Sequence, residues 1–294
     1  MYSEAQLLFI RAYTPLHVGV GRGEKTYVDL PIQRDEYGYP VIWGSSLKGA
    51  IKANLDSSTR PYLGSEPGEA PTQPSAAVFL DARLLLVPVR VLNRVWAYAT
   101  SINLLSMFNK YIEVLSSTSK QRELSQLELS SLPRDRATVS KKELVHNGKV
   151  MINEVELEAG VCEKVLENTH LDKVLPQDII NTVNNKGLVI LPDVENTDLR
   201  VINRSIMIQY RVRLKREEKV VEEGGLWSEE YVPMETVFAS LILCRDFKHK
   251  DIDKKASDIC SEISSKLNGK FIYVGGKESI GKGLVKLYTV SIPA

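Results

Sequence analysis

The feature of this sequence that most constrains its fold is a pair of matching patterns at the two ends of the chain. At each end, an apolar and β-prone run is followed by a helical stripe and then by a second apolar run. In chain order, the six segments are strand 7–13, helix 44–55, strand 83–92, strand 236–244, helix 252–267 and strand 283–292. The order strand, helix, strand therefore occurs twice, and about half of the chain lies between the two copies.

Two halves of this kind are typical of an α+β, ferredoxin-like fold, in which two βαβ units share one sheet. Pro88 is expected to interrupt the strand at 83–92, because proline lacks the N–H that a sheet needs. The central part of the chain predicts further elements: a helix at 94–117, an exposed polar insertion at 117–148, and strands at 150–157, 187–193 and 205–216.

The charge balance limits the class of function. The 294 residues include 38 Lys and Arg and 37 Asp and Glu, which gives a formal net charge of +1. A basic nucleic-acid-binding domain usually has a pI above about 9. However, residues 217–235 hold seven acids and one lysine, whereas 270–288 hold four lysines and one glutamate. The composition excludes an indiscriminate polycation, but not a protein that binds RNA through a local patch.

The cysteine content and the start of the chain indicate the compartment. Cys162, Cys244 and Cys260 have no CxxC spacing, so we expect reduced thiols that pack as small apolar groups, without a disulfide or a zinc site. The start of the chain lacks the basic and long apolar regions of a signal peptide, and no apolar run is long enough to span a membrane. We therefore expect a cytoplasmic protein with no membrane partner.

A glycine-rich loop, GGKESIGKG at 275–283, precedes the last predicted strand. It has the GxxxxGK spacing of a P-loop, but Gly283 stands where Ser or Thr would hold magnesium, and a strand follows instead of a helix. The glycines at 19–23 also fail to form the dinucleotide motif GxGxxG. The loop is either a flexible connection or an anion site. The residues concerned are Gly275, Gly276, Lys277, Gly281, Lys282 and Gly283.

Two further sets of polar and basic residues are candidates for phosphate binding. The first lies at the start of helix 44–55, where a serine can cap the helix and free amides favour anions; it comprises Ser45, Ser46, Lys48 and Lys52. The second alternates along the strand at 205–216 and shares one face of it: Arg211, Arg213 and Lys215. In both cases the alternative is an ordinary solvated surface.

Five blocks of the sequence together resemble the RAMP proteins of CRISPR systems, which bind RNA through ferredoxin-like cores related to RNA-recognition (RRM) domains. The blocks are TPLHVGVG at 14–21, VDLPIQR at 28–34, GSSLKGAIK at 44–52, GGLWSEEYVPMETVF at 224–238 and the glycine-rich loop. Within that family, the set is most similar to the repeated backbone subunit of the type III-B (Cmr) effector complex. The match spans most of the chain except the region at 117–148.

This resemblance implies a role in antiviral defence. Backbone subunits of that family stack as a filament along the guide RNA (crRNA) and cut paired target RNA at regular intervals with a divalent metal, Mg²⁺ or Mn²⁺. A thumb-like β-hairpin of each subunit displaces one nucleotide per interval. The expected partners are guide RNA, target RNA, copies of the chain itself and other Cmr subunits. We therefore predict one elaborated RAMP domain over 1–294, with a core from 1–95 and 236–294, an insertion at 96–204 and a thumb at 205–235.

The resemblance also implies the catalytic residues. The essential aspartate of the family corresponds to Asp29, although an aspartate beside Pro31 is more typical of a turn. Asp29 can bind the metal or orient the ribose 2′-OH that attacks the phosphate. His17 can act as a general acid or base, or be structural. Glu229 and Tyr231 are either secondary contributors to cleavage or part of a solvated acidic surface.

Two other classes of function stay open at this point. A binding-only filament subunit would hold RNA in the same way but would have no nuclease activity of its own. A stand-alone guide-processing ribonuclease of the same superfamily would act outside a filament. The blocks VDLPIQR and LWSEEYVP argue against the stand-alone enzyme, which lacks them, and Asp29 favours the nuclease over the binding-only subunit.

Overall fold

The structure, a computed structural model, describes residues 2–22, 27–65, 74–118, 125–215, 217–249 and 252–290. Within these residues the strands are β1 (Glu4–Ala12), β2 (Val41–Ile42), β3 (Ala77–Phe79), β4 (Ala82–Val91), β5 (Arg94–Ser101), β6 (Ala137–Val139), β7 (Lys149–Ile152), β8 (Val155–Val161), β9 (Leu188–Leu191), β10 (Met207–Leu214), β11 (Val221–Tyr231), β12 (Val237–Cys244), β13 (Phe247–His249), β14 (Ile252–Lys254), β15 (Phe271–Tyr273) and β16 (Leu284–Val290). The α-helices are α1 (Gly44–Asn54), α2 (Ile102–Thr118), α3 (Val165–Asn168), α4 (Gln177–Lys186), α5 (Thr197–Asn203) and α6 (Ala256–Leu267).

The centre of the molecule is a set of four antiparallel strands that come from both ends of the chain, in the order β16, β1, β12, β4. Leu7 of β1 faces Leu241 of β12 on one side and Val290 of β16 on the other. The same sheet continues from β4 through β5, β9, β6 and β8 to β7, while β15 extends the opposite edge. Each end of the chain therefore contributes two predicted strands to one sheet, and the helix between them packs against that sheet.

The central strands are covered on both faces, which explains the unbroken apolar runs in the sequence. Leu8 and Ile10 of β1 pack into a core cluster with α1 and α6, whereas Leu7 and Phe9 pack into a second cluster with α2. Successive residues of a strand point to opposite faces, so a strand with two covered faces needs apolar residues at every position.

The prediction of one helix over 94–117 is wrong at its start. Arg94–Ser101 forms strand β5, which pairs with β4, and the helix begins at Ile102. The segment RVWAYATS is rich in β-branched and aromatic residues, which fit a pleated sheet. The expected break at Pro88 is also wrong, because β4 runs through it. Pro88 lies beyond Leu86, the last residue of β4 that pairs with β12, so its missing N–H costs no bond there.

The region at 117–148 is not simply an exposed polar insertion. Leu127, Leu132 and Val139 are buried in it, and β6 pairs with both β8 and β9. Residues 119–124 of this region, like Gly23 of the glycine run near the start, lie outside the described residues. The two strands β7 and β8 replace the single strand predicted at 150–157, with a tight turn at Asn153 and Glu154, whose φ angles are 44° and 57°.

The helix predicted at 252–267 begins later than expected. Residues Ile252–Lys254 pair with β13 as strand β14, and α6 starts at Ala256. The amide of Ala256 donates to Oδ1 of Asp246 at 2.9 Å, which satisfies one of the free N–H groups of the helix start. The described residues contain no helix with the length and apolar character needed to cross a membrane.

The prediction of three reduced thiols is wrong for two of them. Cys244 at the end of β12 and Cys260 on α6 form a disulfide, with their Cα atoms 5.8 Å apart, while Cys162 is free. Both paired residues are buried. The pair has no sequence signature, because it arises from the packing of α6 against β12 and not from a short spacing.

Reduction of this disulfide should destabilise the fold measurably. The bond closes a loop with a sequence separation of 16, and a loop of that size stabilises a protein by about 3 kcal/mol in the chain-entropy model. We expect Cys260→Ser and treatment of the wild type with a reductant to lower the free energy of urea unfolding by similar amounts. Cys162→Ser is the matched control and should change little. Full reactivity of all three thiols in the untreated native protein would contradict the disulfide.

Candidate functional site

A cleft of about 450 Å³ lies where three segments meet: the loop around Asp29, the hairpin formed by β10 and β11, and the glycine-rich loop. Its lining residues are Arg22, Asp29, Leu30, Arg213, Gly224, Leu226, Trp227 and Lys277. The charged residues of this set are three cations and one carboxylate. Two predicted site residues that are far apart in sequence, Asp29 and Lys277, thus line the same cleft.

The loop that carries Asp29 runs beside β11 and is fixed to it by backbone hydrogen bonds. The amide of Leu30 donates to the carbonyl of Ser228 at 3.0 Å, and the amide of Glu230 donates to the carbonyl of Leu30 at 3.0 Å. Oδ2 of Asp29 accepts from both the amide and the hydroxyl of Ser228, each at 2.8 Å. These two bonds lower the pKa of Asp29, so its exposed carboxylate is charged at neutral pH.

Glu229 is fully buried behind the wall of the cleft and does not belong to a solvated acidic surface. Its carboxylate accepts from the indole N–H of Trp227 at 2.6 Å, from the ammonium of Lys277 at 2.6 Å and from the hydroxyl of Tyr231. Burial by itself raises the pKa of Glu229, but the bonds from Lys277, Tyr231 and Trp227 outweigh it and lower this pKa to about 2. The side chain is therefore an anionic hub that holds its neighbours in place.

Tyr231 and His17 lie behind the same wall. Burial and the bond to Glu229 raise the pKa of Tyr231, so its hydroxyl keeps its proton. His17 is buried, and its Nδ1 donates to the carbonyl of Glu230 at 2.7 Å. The rings of His17 and Tyr231 are 5.5 Å apart, and the ammonium of Lys282 lies 4.9 Å from the centre of the Tyr231 ring. The structure thus groups the predicted catalytic residues, with Asp29 in the cleft and the other three in the layer behind it.

The glycine-rich loop is folded against the segment near His17. The amide of Gly276 donates to the carbonyl of His17 at 2.9 Å, and the amide of Gly283 donates to the carbonyl of Pro15 at 3.0 Å. The amides of Gly281 and Lys282 also donate to carbonyls within the loop. These four amides are therefore already hydrogen-bonded within the protein and are not free to bind an anion.

The start of α1 is capped by residues from elsewhere in the chain, so the prediction that Ser45 or Ser46 caps it is wrong. The helix begins at Gly44, whose amide donates to Oδ1 of Asp81 at 2.6 Å, after the N-cap residue Trp43. Sequence reasoning also missed Gln33. This buried side chain accepts from the amide of Trp43 at 2.8 Å and donates to the hydroxyl of Ser46 at 3.1 Å.

The two lysines of α1 differ in their availability. Lys52 donates to the carbonyls of Gly64 and Ser65 at 2.9 and 2.8 Å, so it already holds a neighbouring turn. Lys48 is half-buried, and burial, followed by the charge of Lys52, lowers its pKa. Of the two, Lys48 is the better placed to meet a phosphate.

The hairpin of β10 and β11 carries two basic residues on β10, Arg211 and Arg213. Arg211 faces Trp227 across the two strands and is half-buried, while Arg213 reaches the cleft. Arg22, Arg213 and Ser228 were not predicted as part of the site around Asp29. The alternating charges of β10 were the only signal for Arg213. No sequence pattern shows that Ser228 meets Asp29, which is 199 positions away.

Glu229→Gln should change how stability depends on pH. The pKa of Glu229 is lowered from 4.5 to about 2, so its contribution is fully present above about pH 4.5 and is lost as the pH falls through 2. We expect the wild type to be more stable than the variant at neutral pH, and the difference to shrink between pH 4.5 and 2 in urea-unfolding curves. The exposed Glu158→Gln is the matched control. A difference that is constant across this range would contradict the assignment.

Gly275→Ala should destabilise the protein more than Gly281→Ala. The φ angles are similar, +80° and +73°, so both variants carry the strain of a left-handed alanine, about 1–2 kcal/mol. A Cβ on Gly275 would collide with the carbonyl oxygen of His17, whereas a Cβ on Gly281 meets open space. We expect Gly275→Ala to cost about 1–3 kcal/mol more in urea unfolding. Equal losses would show that the loop does not pack on His17.

Comparison with known proteins identifies the family of this chain. The model of the RAMP superfamily matches residues 9–286. Over 292 aligned residues, the chain is 32% identical to the protein of Pyrococcus furiosus named CRISPR system Cmr endoribonuclease Cmr4. The alignment covers 97% of this chain and 95% of that protein.

Solved structures are similar over nearly the whole chain as well. A chain of the type III-B Cmr-beta complex in its apo state is 36% identical, with a TM-score of 0.78 and coverage of 99% of this chain and 98% of that one. A chain of the Cmr-beta complex bound to cognate target RNA is 35% identical, with a TM-score of 0.75 and coverage of 98% of both chains. The chain therefore belongs to the RAMP superfamily and, within it, to the Cmr4 family of type III-B CRISPR subunits.

Proposed function

We propose that this chain is the repeated backbone subunit of a type III-B complex, which binds guide RNA and cleaves the paired target RNA at regular intervals. The relative from Pyrococcus furiosus is named an endoribonuclease, and a similar chain occurs in a complex with cognate target RNA. The observation that carries the catalytic part is the exposed carboxylate of Asp29, which Ser228 holds in a cleft with three cationic side chains.

The proposed reaction joins the 2′-oxygen of a target ribose to the adjacent phosphorus and breaks the bond between that phosphorus and the 5′-oxygen. The proton of the 2′-hydroxyl passes to water, and the departing 5′-oxygen takes a proton from water. Asp29 either orients the 2′-hydroxyl or binds the metal. Leu226 and Trp227 line the hairpin side of the cleft, and in this proposal they press against a displaced nucleotide and so help to align the attack.

A divalent ion, Mg²⁺ or Mn²⁺, fits this cleft as an ion held mostly by water and phosphate. Among the described residues, no group of three or more His, Cys, Asp or Glu side chains is placed to bind a metal. In the metal-binding alternative, Asp29 is the single protein ligand and water and phosphate complete the coordination, as in magnesium sites with few carboxylates. When bound, the ion supplies positive charge against the negative charge that develops on the phosphate.

The guide RNA is proposed to follow the surface that joins the start of α1 to the glycine-rich loop. Buried Gln33 links the two regions, because it contacts Ser46 and the carbonyl of Gly19, close to the segment that holds the loop. The side chains proposed to contact RNA are Ser45, Ser46, Lys48, Arg211, Lys277 and Lys282. Lys52 and the four loop glycines act indirectly in this proposal, by shaping the backbone.

The order β16, β1, β12, β4 corresponds to the strand order 4-1-3-2 of ferredoxin-like folds and supports a core of that kind. In this proposal one RAMP domain spans 1–294. Its core comes from 1–95 and 236–294, its insertion is 96–204, and the hairpin within 205–235 is the thumb.

The proposed subunit works in the cytoplasm with copies of itself and with other Cmr subunits. One face of the hairpin exposes apolar side chains that a partner would cover, including Ile208, Tyr210 and Val212. The near-zero net charge limits repulsion between identical stacked copies.

Asp29→Asn should abolish cleavage without releasing the target. We expect a loss of at least about 100-fold in the single-turnover cleavage rate of the assembled complex, with the Kd for target RNA unchanged within threefold, because the residue acts on the reacting group and not on the duplex. Asp135→Asn is the matched control, since this exposed carboxylate pairs with its neighbour Arg136 in the insertion. Cleavage at the regular sites by the Asp29 variant would favour the binding-only alternative.

A further inference from the structure

Lys277 is held more firmly than the other cations of the cleft. Its ammonium donates to Oε1 of Glu229 at 2.6 Å, and that glutamate is fully buried. The side chain of Lys277 is 30% exposed and lines the same cleft as Asp29. Arg22 and Arg213 also line the cleft, but both are exposed, and the partner of Arg213 is the hairpin residue Glu222 at 3.8 Å.

The anchor of Lys277 is itself rigid. Glu229 accepts from the indole of Trp227 and the hydroxyl of Tyr231 in addition to the lysine, so its carboxylate has three donors from two parts of the chain. A buried charge with this many partners has one favoured position, because each displacement leaves a polar group unsatisfied. A lysine ammonium has three donors, so the bond to Glu229 leaves capacity for a second ligand.

We propose that Lys277 is a catalytic residue that contacts the scissile phosphate of the target RNA, and that Glu229 is a positioning residue that acts through Lys277. This inference rests on the proposed function, since it takes the cleft around Asp29 as the cleavage site. It moves Lys277 from the expected guide-binding surface to the reaction centre, and it gives Glu229 a role that needs no proton transfer.

The chemistry of cleavage gives this lysine a defined task. When the 2′-oxygen attacks, negative charge builds up on the two non-bridging oxygens of the phosphate before the bond to the 5′-oxygen breaks. A cation that is already in place stabilises this charge at no cost of reorganisation. The lysine neither gains nor loses a proton in the reaction. Arg22 and Arg213 are exposed and would first have to be ordered, so Lys277 is better suited than either of them.

Single-turnover cleavage by the assembled complex tests the proposal, with guide RNA and a labelled target. Lys277→Met should slow cleavage about 100-fold, in the range found when one transition-state donor is removed, while the Kd for target changes less than threefold. Lys277→Arg should restore the rate to within about tenfold of the wild type, because the charge and the donors are kept. Lys164→Met, at an exposed lysine outside the cleft, is the matched control and should cleave normally.

The double variant tests the assignment of Glu229. Glu229→Gln should slow cleavage, and adding Lys277→Met to it should cause no further loss, because both changes remove the same interaction. Losses that multiply would show that Glu229 acts independently of Lys277. A merely structural role for Lys277 predicts that Lys277→Met assembles poorly and binds target weakly, while complexes that do assemble cleave at the normal rate.

The results also separate this inference from the proposed function. If Asp29→Asn stops cleavage and Lys277→Met does not slow it, the role of Lys277 is wrong and the cleavage site stands. If Asp29→Asn cleaves normally, the proposed site itself is wrong. If Lys277→Met instead weakens guide binding while bound complexes cleave at the normal rate, the lysine belongs to the guide surface and the inference fails.

Discussion

The site depends on one buried carboxylate. Glu229 lies at the base of the hairpin and accepts hydrogen bonds from Trp227, Tyr231 and Lys277, so it joins β11 to the glycine-rich loop near the other end of the chain. A buried ion pair adds little net stability, since desolvation offsets most of the attraction. The ion pair instead fixes geometry. Leaving the buried charge unpaired would be costly, so the glycine-rich loop packs on the hairpin in the one arrangement that keeps the pair. The position of the cleft follows from that constraint.

The central strands could be predicted because local and tertiary preferences agree there. Both faces of β1 are covered, so the run from Leu7 to Ile10 is apolar at every position, and it can hardly be anything other than a buried strand. Residues 94–101 show the opposite case. Their composition is compatible with a helix or a strand, and pairing with β4 decides the outcome. The disulfide between Cys244 and Cys260 is likewise set by helix packing, which no spacing in the sequence encodes.

The residues of the candidate site could be predicted only in part. Family blocks pointed to Asp29, His17, Glu229 and Tyr231, and the structure does bring these four residues close together. The sequence could not show that they form two layers, with one carboxylate facing the cleft and the other fully buried. The burial of the Glu229 carboxylate depends on the docking of the loop at 28–34 beside β11. This docking is a contact between residues about two hundred positions apart. The sequence also left open whether the glycine-rich loop binds an anion, and it could not show that the amides of Gly276 and Gly283 donate to carbonyls of the segment near His17.

The same docking explains how a chain with almost no net charge can present a cationic cleft. The acidic stretch at 217–235 looks like a negative surface in the sequence, but three of its seven acids are consumed by ion pairs to the core. The pairs are Glu229 with Lys277, Glu230 with Arg34, and Glu235 with Arg11. Each of these acids neutralises its basic partner at the base of the hairpin. The other four acids of the stretch lie between the end of β10 and the early part of β11. Asp29 is then the one carboxylate among the residues that line the cleft, which also include Arg22, Arg213 and the already paired Lys277. Local pairing, and not total charge, therefore decides where a phosphate can bind.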